Sequence, residues 1–522
     1  MKRSLPRWAV GLFFVLMLAV GFFTAADYGP SWDEQDEMDI LRMNLWEYAR
    51  ALRLDESAFE KRAAAEDAVT ISRLVPVSES IEQDHGAAAM LPLAGAVMSE
   101  TLTEGQRSAL WHMGCWAWFT LGAFALYGAC RQLGLSRGWA LLGAAMLLLS
   151  PRMFAQGHVN NKDIVLMSLA LCLLWQGLRL VKKPDIPSAL CFSFFGALAA
   201  NTKVAGLALW GLCALLVLAA QLAGRRMNRR VWLAAGTAAV SFAVFYALLT
   251  PAMWSDPAGF AKYLVQNALS FQRWQNDVLL RGTVFRLAGE KLPWYYLPYM
   301  IFATTPVWIL TLAAAGSVLA ALRMRRAGWD ERLSLLMVLL TGLLPLTFAV
   351  LTRTTVYNGW RHFYFVYGPL LVLAAWGAAR MKPRRVIAAA LAMCMTVSGV
   401  GIVTQHPHQQ AYYQPLVRLR GTDYNELDYW NISAREALEK LAAQTEGEIT
   451  VAPADLWSED ALKKALLTME DADRFTVSED AQYVLSNPTY AVIGGFRPDG
   501  LQEVLTLESY GQPVMRIYEK TE

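Results

Sequence analysis

Long apolar runs, separated by short polar stretches, make up most of the chain. About 20 apolar residues cross a bilayer as a helix, and many of the runs approach that length. We therefore predict about eleven membrane-spanning helices, near residues 8–26, 108–131, 138–156, 163–181, 187–202, 204–223, 231–250, 297–322, 333–352, 361–380 and 384–404. No clear signal-peptide cleavage site follows the first run, so we expect it to remain as the first helix.

Two long polar segments and a tail accompany these runs. The first segment, 27–107, contains "MDILRMNLWEYARAL", whose apolar side chains recur at the three- and four-residue spacing of a helix lying on a membrane surface. The second is 251–296. In the tail, helical patterns alternate with short β-branched stretches, which is typical of a small α/β domain. The pattern predicts a polytopic α-helical membrane protein, with a transmembrane domain over 1–404 and a C-terminal α/β domain over 405–522.

The composition agrees with a membrane protein and excludes some other classes. The chain is 55% hydrophobic and 17% charged, and its mean hydropathy is +0.29, which is too apolar for a soluble chain of this length. The net charge of +3 gives no sign of nucleic-acid binding. The six cysteines have no metal-ligand spacing, and all lie in or beside apolar runs, where they serve as small packing residues.

Lysine and arginine gather at alternate ends of the predicted spans. Short basic loops stay on the cytoplasmic side of a membrane. With eleven spans, every short basic cluster falls on that side: Lys2, Arg3 and Arg7; Arg131 and Arg137; Arg179, Lys182 and Lys183; "RRMNRR" at 225–230; "RMRR" at 323–326; and "RMKPRR" at 380–385. We therefore expect a plasma (inner) membrane protein with a cytoplasmic N-terminus and a C-terminal domain on the periplasmic or extracellular side, called the outer face below.

Ionisable residues recur at the outer ends of several predicted spans. Charged groups near hydrocarbon are costly and are often functional. Each also has a plain structural explanation, because acids can end a helix in water or stabilise its N-terminus, and cations can bind lipid headgroups. The candidates are Asp33 and Glu34 in the segment 27–107; Arg152, His158, Lys162 and Asp163 in "SPRMFAQGHVNNKD" at 150–163; Lys203 in the short break at 201–203; and Tyr357 and Arg361 in "TRTTVYNGWRHFYFVY" at 352–367.

These side chains suggest a chemistry. A carboxylate can accept the proton of an attacking hydroxyl, and arginine or lysine can neutralise a phosphate that gains charge as it leaves. The phosphate of a long lipid would lie at this depth in the membrane. The sequence thus indicates transfer of a group from a lipid phosphate to an acceptor outside the membrane. No metal-ligand spacing is present; a divalent cation at the phosphate stays open as a cofactor, but no sequence feature requires one.

Five motifs, in order, carry a family resemblance: "SWDEQDE" at 31–37, "SPRMFAQGHVNNKD" at 150–163, "NTKVAGLAL" at 201–209, "LPWYYLPYMIFATTP" at 292–306 and "YNGWRHFYFVYGPL" at 357–370. The chain resembles the GT-C fold glycosyltransferases, and among them the bacterial branch of the protein O-mannosyltransferase-like group (family 39). "HPHQQAYYQPL" at 406–416 and "NELDYWNIS" at 425–433 resemble the soluble tail of that branch.

The resemblance implies a role for each candidate. By it, Asp33 is the base that acts on the acceptor, Glu34 completes the acidic pair, and Asp163 positions the substrate. The lipid-phosphate and donor-binding residues would be Arg361, Lys203, Arg152, Lys162, His158 and Tyr357. Eukaryotic members also carry a luminal domain of repeated trefoil motifs that is not in this sequence, so the acceptor stays open among a glycan, a lipid and a protein.

The sequence therefore predicts a membrane glycosyltransferase that moves a sugar from a polyprenyl-phosphate donor to an acceptor hydroxyl, with inversion of configuration. One alternative is a secondary transporter for an anionic solute, which would carry ionisable residues or helix breaks in the middle of its spans. Here the charges gather at one face, which disfavours it. A second alternative is a membrane scaffold that presents the tail, in which the acids could be replaced freely.

Overall fold

The computed structural model describes residues 5–64, 74–269, 277–418 and 425–521, so parts of the predicted segments 27–107, 251–296 and 405–522 lie outside the described residues. Its helices, in chain order, are α1 (Arg7–Thr24), α2 (Glu34–Leu52), α3 (Ser57–Ala64), α4 (Ala94–Met98), α5 (Glu104–Gln132), α6 (Arg137–Leu148), α7 (Pro151–Val159), α8 (Asp163–Lys182), α9 (Ile186–Thr202), α10 (Val204–Ala223), α11 (Arg229–Leu249), α12 (Pro257–Leu269), α13 (Tyr296–Thr304), α14 (Val307–Met324), α15 (Trp329–Thr352), α16 (Tyr367–Ala378), α17 (Arg384–Thr404), α18 (Pro415–Arg418), α19 (Ser433–Gln444), α20 (Leu456–Thr468) and α21 (Pro488–Gly494). The strands are β1 (Asp277–Leu280), β2 (Thr283–Arg286), β3 (Ile449–Pro453), β4 (Phe475–Val477), β5 (Tyr483–Ser486), β6 (Leu501–Ser509) and β7 (Gln512–Lys520).

Eight of the described helices are long and apolar enough to cross a membrane, namely α1, α5, α8, α10, α11, α14, α15 and α17. They indicate a multi-pass membrane protein. The other three predicted spans are helical too, although in shorter pieces. Residues 138–156 form α6 and α7 with a 70° bend between them, 187–202 form α9, and 361–380 form a 3₁₀ turn, Arg361–Val366, followed by α16. The prediction of a polytopic helical protein with a small C-terminal α/β domain is confirmed.

Prolines explain two of the breaks. Pro151 is the first residue of α7, a position that a proline tolerates, whereas in a continuous helix it would remove a hydrogen bond and clash with the preceding turn. Pro306 likewise lies between α13 and α14, which together cover the predicted span at 297–322. The break before Pro151 turns α7, and with it Arg152, away from the direction of α6.

The core of the membrane part is built around α8. This helix is buried on nearly every side and packs against α5, α9 and α10, as expected for a helix that is apolar all round. Small residues permit close approach between its neighbours. A Cβ added at Gly206 of α10 would lie 2.1 Å from the carbonyl carbon of Ala199 on α9, so this turn requires glycine. The tight α9–α10 hairpin fixes the position of Lys203 between the two helices.

The first outer segment folds into α2, α3, α4 and several 3₁₀ turns. Helix α2 confirms the predicted helical pattern, and its apolar residues Met38 and Leu41 are fully buried. Its polar side is covered as well. Asp39 and Arg42 form a buried ion pair, and Arg42 also donates to the carbonyl oxygen of Val97 at 3.1 Å, near the end of α4. The segment is thus packed on two sides, which fixes how α2 is rotated about its axis.

The C-terminal part contains a five-stranded sheet in the order β4-β3-β5-β7-β6. Strand β3 runs parallel to β4 and β5, whereas β7 is antiparallel to β5 and β6. Helices α19 and α20 cover the sheet, and α20 also packs against α5 of the membrane part. The predicted α/β domain is therefore present, and the exact boundary at 404/405 stays a prediction. A separate hairpin, β1–β2, lies next to the tail through a bridge between Leu280 and Asn425.

Candidate active site

Asp33 lies at the N-cap of α2, but its carboxylate does not cap the helix. Its carbonyl oxygen accepts the first helical hydrogen bond, from the N–H of Glu37 at 2.9 Å. The side chain remains 38% exposed and lies 3.6 Å from Arg361. The Asp33 side chain is therefore not used in a helix cap. Its carboxylate is accessible and lies beside a cation from a distant part of the chain.

Asp163, the first residue of α8, lies at the same end of the bundle and has a different environment. Its backbone N–H donates to the side-chain oxygen of Asn160 at 2.8 Å, so Asn160 satisfies one of the free N–H groups at the start of the helix. The carboxylate of Asp163 is only 1% exposed. It accepts a hydrogen bond from the ammonium of Lys203 at 2.5 Å and lies 4.0 Å from Arg361. Asp163 thus joins two cations that come from separate outer loops.

Arg361 occupies the centre of this group. It follows a sharp turn in which Asn358 and Gly359 both have positive φ, and it opens the 3₁₀ turn before α16. Its guanidinium lies 4.9 Å from the ring centre of Tyr357 and 4.5 Å from that of Trp430, so two aromatic rings hold the cation by cation–π contacts. Its Nε is buried without a hydrogen-bond partner among the described residues.

A second ion pair lies beside these residues. The ammonium of Lys162 contacts the carboxylate of Glu37 and lies 3.1 Å from Nδ1 of His85. Partial burial raises the pKa of Asp33 above its ordinary value, although the charge of Arg361 acts in the opposite direction. Glu37 raises this pKa further, whereas Lys162 lowers it. Asp33 is therefore a stronger proton acceptor than an ordinary aspartate.

Arg152 is a buried cation of another kind. It lies on α7, donates to the carbonyl oxygen of Tyr412 at 3.1 Å, and lies 4.9 Å from the ring centre of Tyr413 and 5.9 Å from that of Tyr429. No carboxylate of the described residues forms an ion pair with it, and its Nε lacks a hydrogen-bond partner there. Because a buried charge without a counter-charge is costly, Arg152 favours an anionic ligand.

Two predicted site residues point elsewhere. Glu34 is fully buried and pairs with His112 of α5 at 2.7 Å. His158 is stacked between the rings of Tyr28 and Trp116, each at 4.3 Å between ring centres. Both of its ring nitrogens have local partners, the Phe154 carbonyl and the Thr24 hydroxyl. These contacts give Glu34 and His158 packing roles, and their catalytic or donor-binding roles stay predictions.

The structure also adds residues that the sequence did not single out as site residues. Trp430 and Tyr429 belong to the "NELDYWNIS" motif of the tail, and they lie between Arg361 and Arg152. Glu37 comes from α2. The aromatic pair beside acids in this tail motif is a sequence signal for Trp430. Arg361, which Trp430 contacts, lies 69 positions earlier, so sequence spacing does not pair the two residues.

Among the residues that the structure describes, no group of three or more His, Cys, Asp or Glu side chains could hold a metal ion.

Glu426 gives a testable effect of pH on stability. It is buried, accepts a hydrogen bond from the N–H of Leu279 at 3.3 Å, and burial raises its pKa to about 7. Because folding raises the pKa of this carboxyl, the free energy of unfolding falls as the pH rises from the pKa of the unfolded state to about 7. Above that range the loss is on the order of 3 kcal/mol. We expect Glu426→Gln to raise the melting temperature at pH 8 and to change it little at pH 5.

The measurement is thermal unfolding of the purified protein at both pH values. The control is Glu508→Gln, which replaces an exposed acid on β6 and should change the melting temperature little at either pH. An equal shift for Glu426→Gln at pH 5 and pH 8 would contradict the assigned titration.

Comparison with known proteins gives structural likenesses only. No family model and no curated protein matches this chain. Among solved structures, the chain is similar to ArnT from Cupriavidus metallidurans in the apo state, with a TM-score of 0.49 and 14% identity over 98% of this chain and 97% of that one. It is also similar to the arabinofuranosyltransferase AftD from Mycobacteria (TM-score 0.44, 16% identity, 100% of this chain and 42% of that one) and to the archaeal oligosaccharyltransferase AglB from Archaeoglobus fulgidus (TM-score 0.44, 11% identity, 99% and 75%). Because the identities are 16% or lower and the TM-scores are below 0.5, these likenesses assign neither a family nor an activity. Membership of the bacterial branch of family 39 stays a prediction.

Proposed function

We propose that this protein is a membrane glycosyltransferase that moves a sugar from a polyprenyl-phosphate donor to an acceptor hydroxyl at the outer face. One observation carries the proposal: the continuous series Asp33–Arg361–Asp163–Lys203, with separations of 3.6, 4.0 and 2.5 Å. These four side chains come from four separate loops or helix ends of the membrane part. An accessible carboxylate beside cations is the arrangement that transfer from a phosphate ester needs.

Asp33 is the proposed base. It takes the proton of the acceptor hydroxyl, and the resulting oxygen attacks the anomeric carbon from the face opposite the lipid phosphate. The new carbon–oxygen bond forms as the bond from the anomeric carbon to the phosphate oxygen breaks, and the phosphate leaves with that electron pair. The configuration at the anomeric carbon therefore inverts. The raised pKa of Asp33 suits this role, because a stronger base accepts the proton more readily.

Arg361 is the proposed partner of the departing phosphate. A guanidinium has five N–H donors in a planar fork, so it can contact both carboxylates and a phosphate oxygen. The buried Nε without a partner among the described residues supports this role. Arg152 adds a cation that no described carboxylate neutralises, and Lys203 adds a third. Tyr357 presents its ring to Arg361 and limits how that guanidinium can turn.

Asp163 is proposed as a positioning acid. Its carboxylate is buried and already accepts from Lys203, so an acceptor hydroxyl has little access to it. By holding Lys203 and Arg361 at one site, it keeps two cations together that would otherwise repel each other. Lys162 and Glu37 form a second pair beside it. This division leaves Asp33 as the exposed acid of the group and Asp163 as the buried one.

The proposed partners follow from the position of the site. The lipid tail of the donor would lie between the spans, and the acceptor would be a glycan, a lipid or a protein on the outer face. The proposed orientation, with the N-terminus in the cytoplasm and the α/β domain over 405–522 on the outer face of the plasma (inner) membrane, rests on the distribution of basic residues. The transporter alternative gains nothing from the geometry, because the charged residues described above lie at helix ends.

The test is transfer by the purified protein in lipid nanodiscs supplied with a panel of polyprenyl-phosphate sugars. We expect one donor to release free polyprenyl phosphate, and NMR of the product to show the inverted anomer. Parallel samples with a chelator and with added divalent cation decide whether a metal ion takes part. Absence of phosphate release with every donor, together with solute uptake into vesicles that contain the protein, would favour the transporter instead.

A further inference from the structure

The C-terminal domain contacts the loop that carries Asp33 through a buried lysine. Lys464 lies on α20, and its side chain is only 1% exposed. Its ammonium donates to the carbonyl oxygen of Trp32, which belongs to the peptide unit joining Trp32 to Asp33. It also forms ion pairs with Asp36 at 3.2 Å and with Asp460 at 3.1 Å. One cation of the α/β domain is therefore bound directly beside the proposed base.

Trp32 is held by the same domain at two further points. Its backbone N–H donates to the carbonyl oxygen of Trp430 at 3.2 Å. Its ring packs against Tyr490 at 5.8 Å and against Trp457 at 5.0 Å between ring centres. The N–H, the carbonyl and the ring of this residue thus all contact the tail. The side chain of Asp33 makes no capping hydrogen bond to α2 that would hold it in place. The contacts of Trp32 therefore fix the backbone position from which the Asp33 side chain extends.

We infer that Lys464 is a positioning residue for the reaction, because it holds the Trp32–Asp33 peptide so that the carboxylate of Asp33 faces the acceptor. The α/β domain is then a part of the active site that completes the base, and the inference rests on the proposed function. Lys464 touches no reacting atom and acts through the backbone of the acid. A displacement of about 1 Å at a reacting group can lower a rate substantially, which gives this contact its catalytic weight.

The charge of Lys464 offers a readout that packing alone would not move. The charged groups that face Asp33 are Arg361, Lys162 and Lys464, which lower its pKa, and Glu37, which raises it. Burial disfavours the charge of Lys464, but Asp36 and Asp460 raise its pKa above the ordinary value, so it stays protonated. Loss of this cation raises the pKa of Asp33. Since the base must be deprotonated, the acid limb of the pH–rate profile then moves to higher pH.

The experiment compares full-length Lys464→Met with Lys463→Met in the transfer assay. Lys463 is the neighbouring residue on α20, and it forms an exposed ion pair with Glu459 at 2.7 Å. We expect Lys464→Met to lower kcat by about tenfold to a hundredfold, with the acid limb displaced upward. The KM for the lipid donor should be unchanged, because the cations of the phosphate site are intact. Lys463→Met should match the wild type in all three measurements.

Two results would overturn the inference. One is a Lys464→Met protein with the wild-type kcat and pH profile, and the other is a lower melting temperature with an unshifted acid limb, which is the behaviour of a purely structural residue. If Lys464→Met does not fold, Lys464→Gln decides, because it keeps a donor for the Trp32 carbonyl but has no charge. Its acid limb must also move upward. Failure of the wild-type protein to release lipid phosphate would overturn the proposed function together with this inference. An active wild-type protein, with a Lys464→Met variant of unchanged kcat and pH profile, would overturn this inference alone.

Discussion

Replacement of Asp33 by asparagine is expected to lower kcat for sugar transfer by about a thousandfold, the usual contribution of a general base. Asparagine has nearly the same shape as aspartate, so the loop and its contacts with the C-terminal domain should remain. What is lost is the group that accepts the proton of the acceptor hydroxyl. The KM for the lipid donor should change little, since the phosphate is bound by other residues. Initial rates of polyprenyl-phosphate release in nanodiscs measure both quantities.

Asp27 provides a matched control for this substitution. It lies in the same acidic stretch, its side chain is 50% exposed, and it pairs with His406 at 2.8 Å. Asp27→Asn should therefore leave kcat close to the wild-type value. The wild-type enzyme should also show an effect of pH. Because partial burial raises the pKa of Asp33, the acid limb of the wild-type pH–rate profile should lie at higher pH than an ordinary aspartate would give. A near-normal kcat for Asp33→Asn would reject it as the base and leave Asp163 as the next carboxylate to replace.

The membrane part was accessible from the sequence because local composition determines which segments enter a bilayer. All eleven predicted spans are helical, and the sequence marks Asp33, Asp163, Lys203 and Arg361 as charges at the ends of apolar runs. Positions at one depth on several helices must lie near one another in a bundle. The four side chains do lie together, in the series of contacts described above, and their role as a site stays a prediction.

The rotation of side chains about their helices was not accessible in the same way. Asp33 and Glu34 are adjacent in sequence, and successive residues of a helix point about 100° apart, so both could not face one site. Which of the two faces Arg361 depends on how α2 packs, and the buried pair between Glu34 and His112 decides it. His158 is a similar case, because its two aromatic neighbours come from α5 and from the turn after α1.

The contribution of the tail was the least predictable part. Trp430 and Lys464 follow Asp33 by about 400 positions, and no local pattern links residues so far apart. Their contacts arise only when α20 and the 425–433 segment pack on the first outer loop. The sequence assigns the motif at 425–433 to a soluble tail, whereas the Trp430 ring of that motif contacts Arg361 of the membrane part. A domain boundary inferred from composition therefore need not be a functional boundary.

Replacement of Arg361 by glutamine is expected to lower kcat by about a hundredfold to a thousandfold, the range found when one donor to a developing negative charge is removed. Arg361→Lys should also be strongly impaired, because a single ammonium cannot reach both carboxylates and still donate to a phosphate. Asp163 keeps Lys203 as its partner in both variants, so the fold should persist. The affinity for free polyprenyl phosphate, measured by its inhibition of transfer, should fall in parallel with kcat.

Arg361→Gln has a second expected effect, of predictable sign. Arg361 lowers the pKa of Asp33, so its removal raises that pKa and moves the acid limb of the remaining activity to higher pH. Arg353→Gln is the matched control, since Arg353 is exposed at the end of α15, eight residues before Arg361 in the same outer segment. Wild-type release of lipid phosphate by Arg361→Lys would contradict the proposed need for a planar guanidinium with several donors at this position. An unshifted acid limb in Arg361→Gln would separate Arg361 from the base, and the phosphate-binding role would then rest on Arg152 and Lys203.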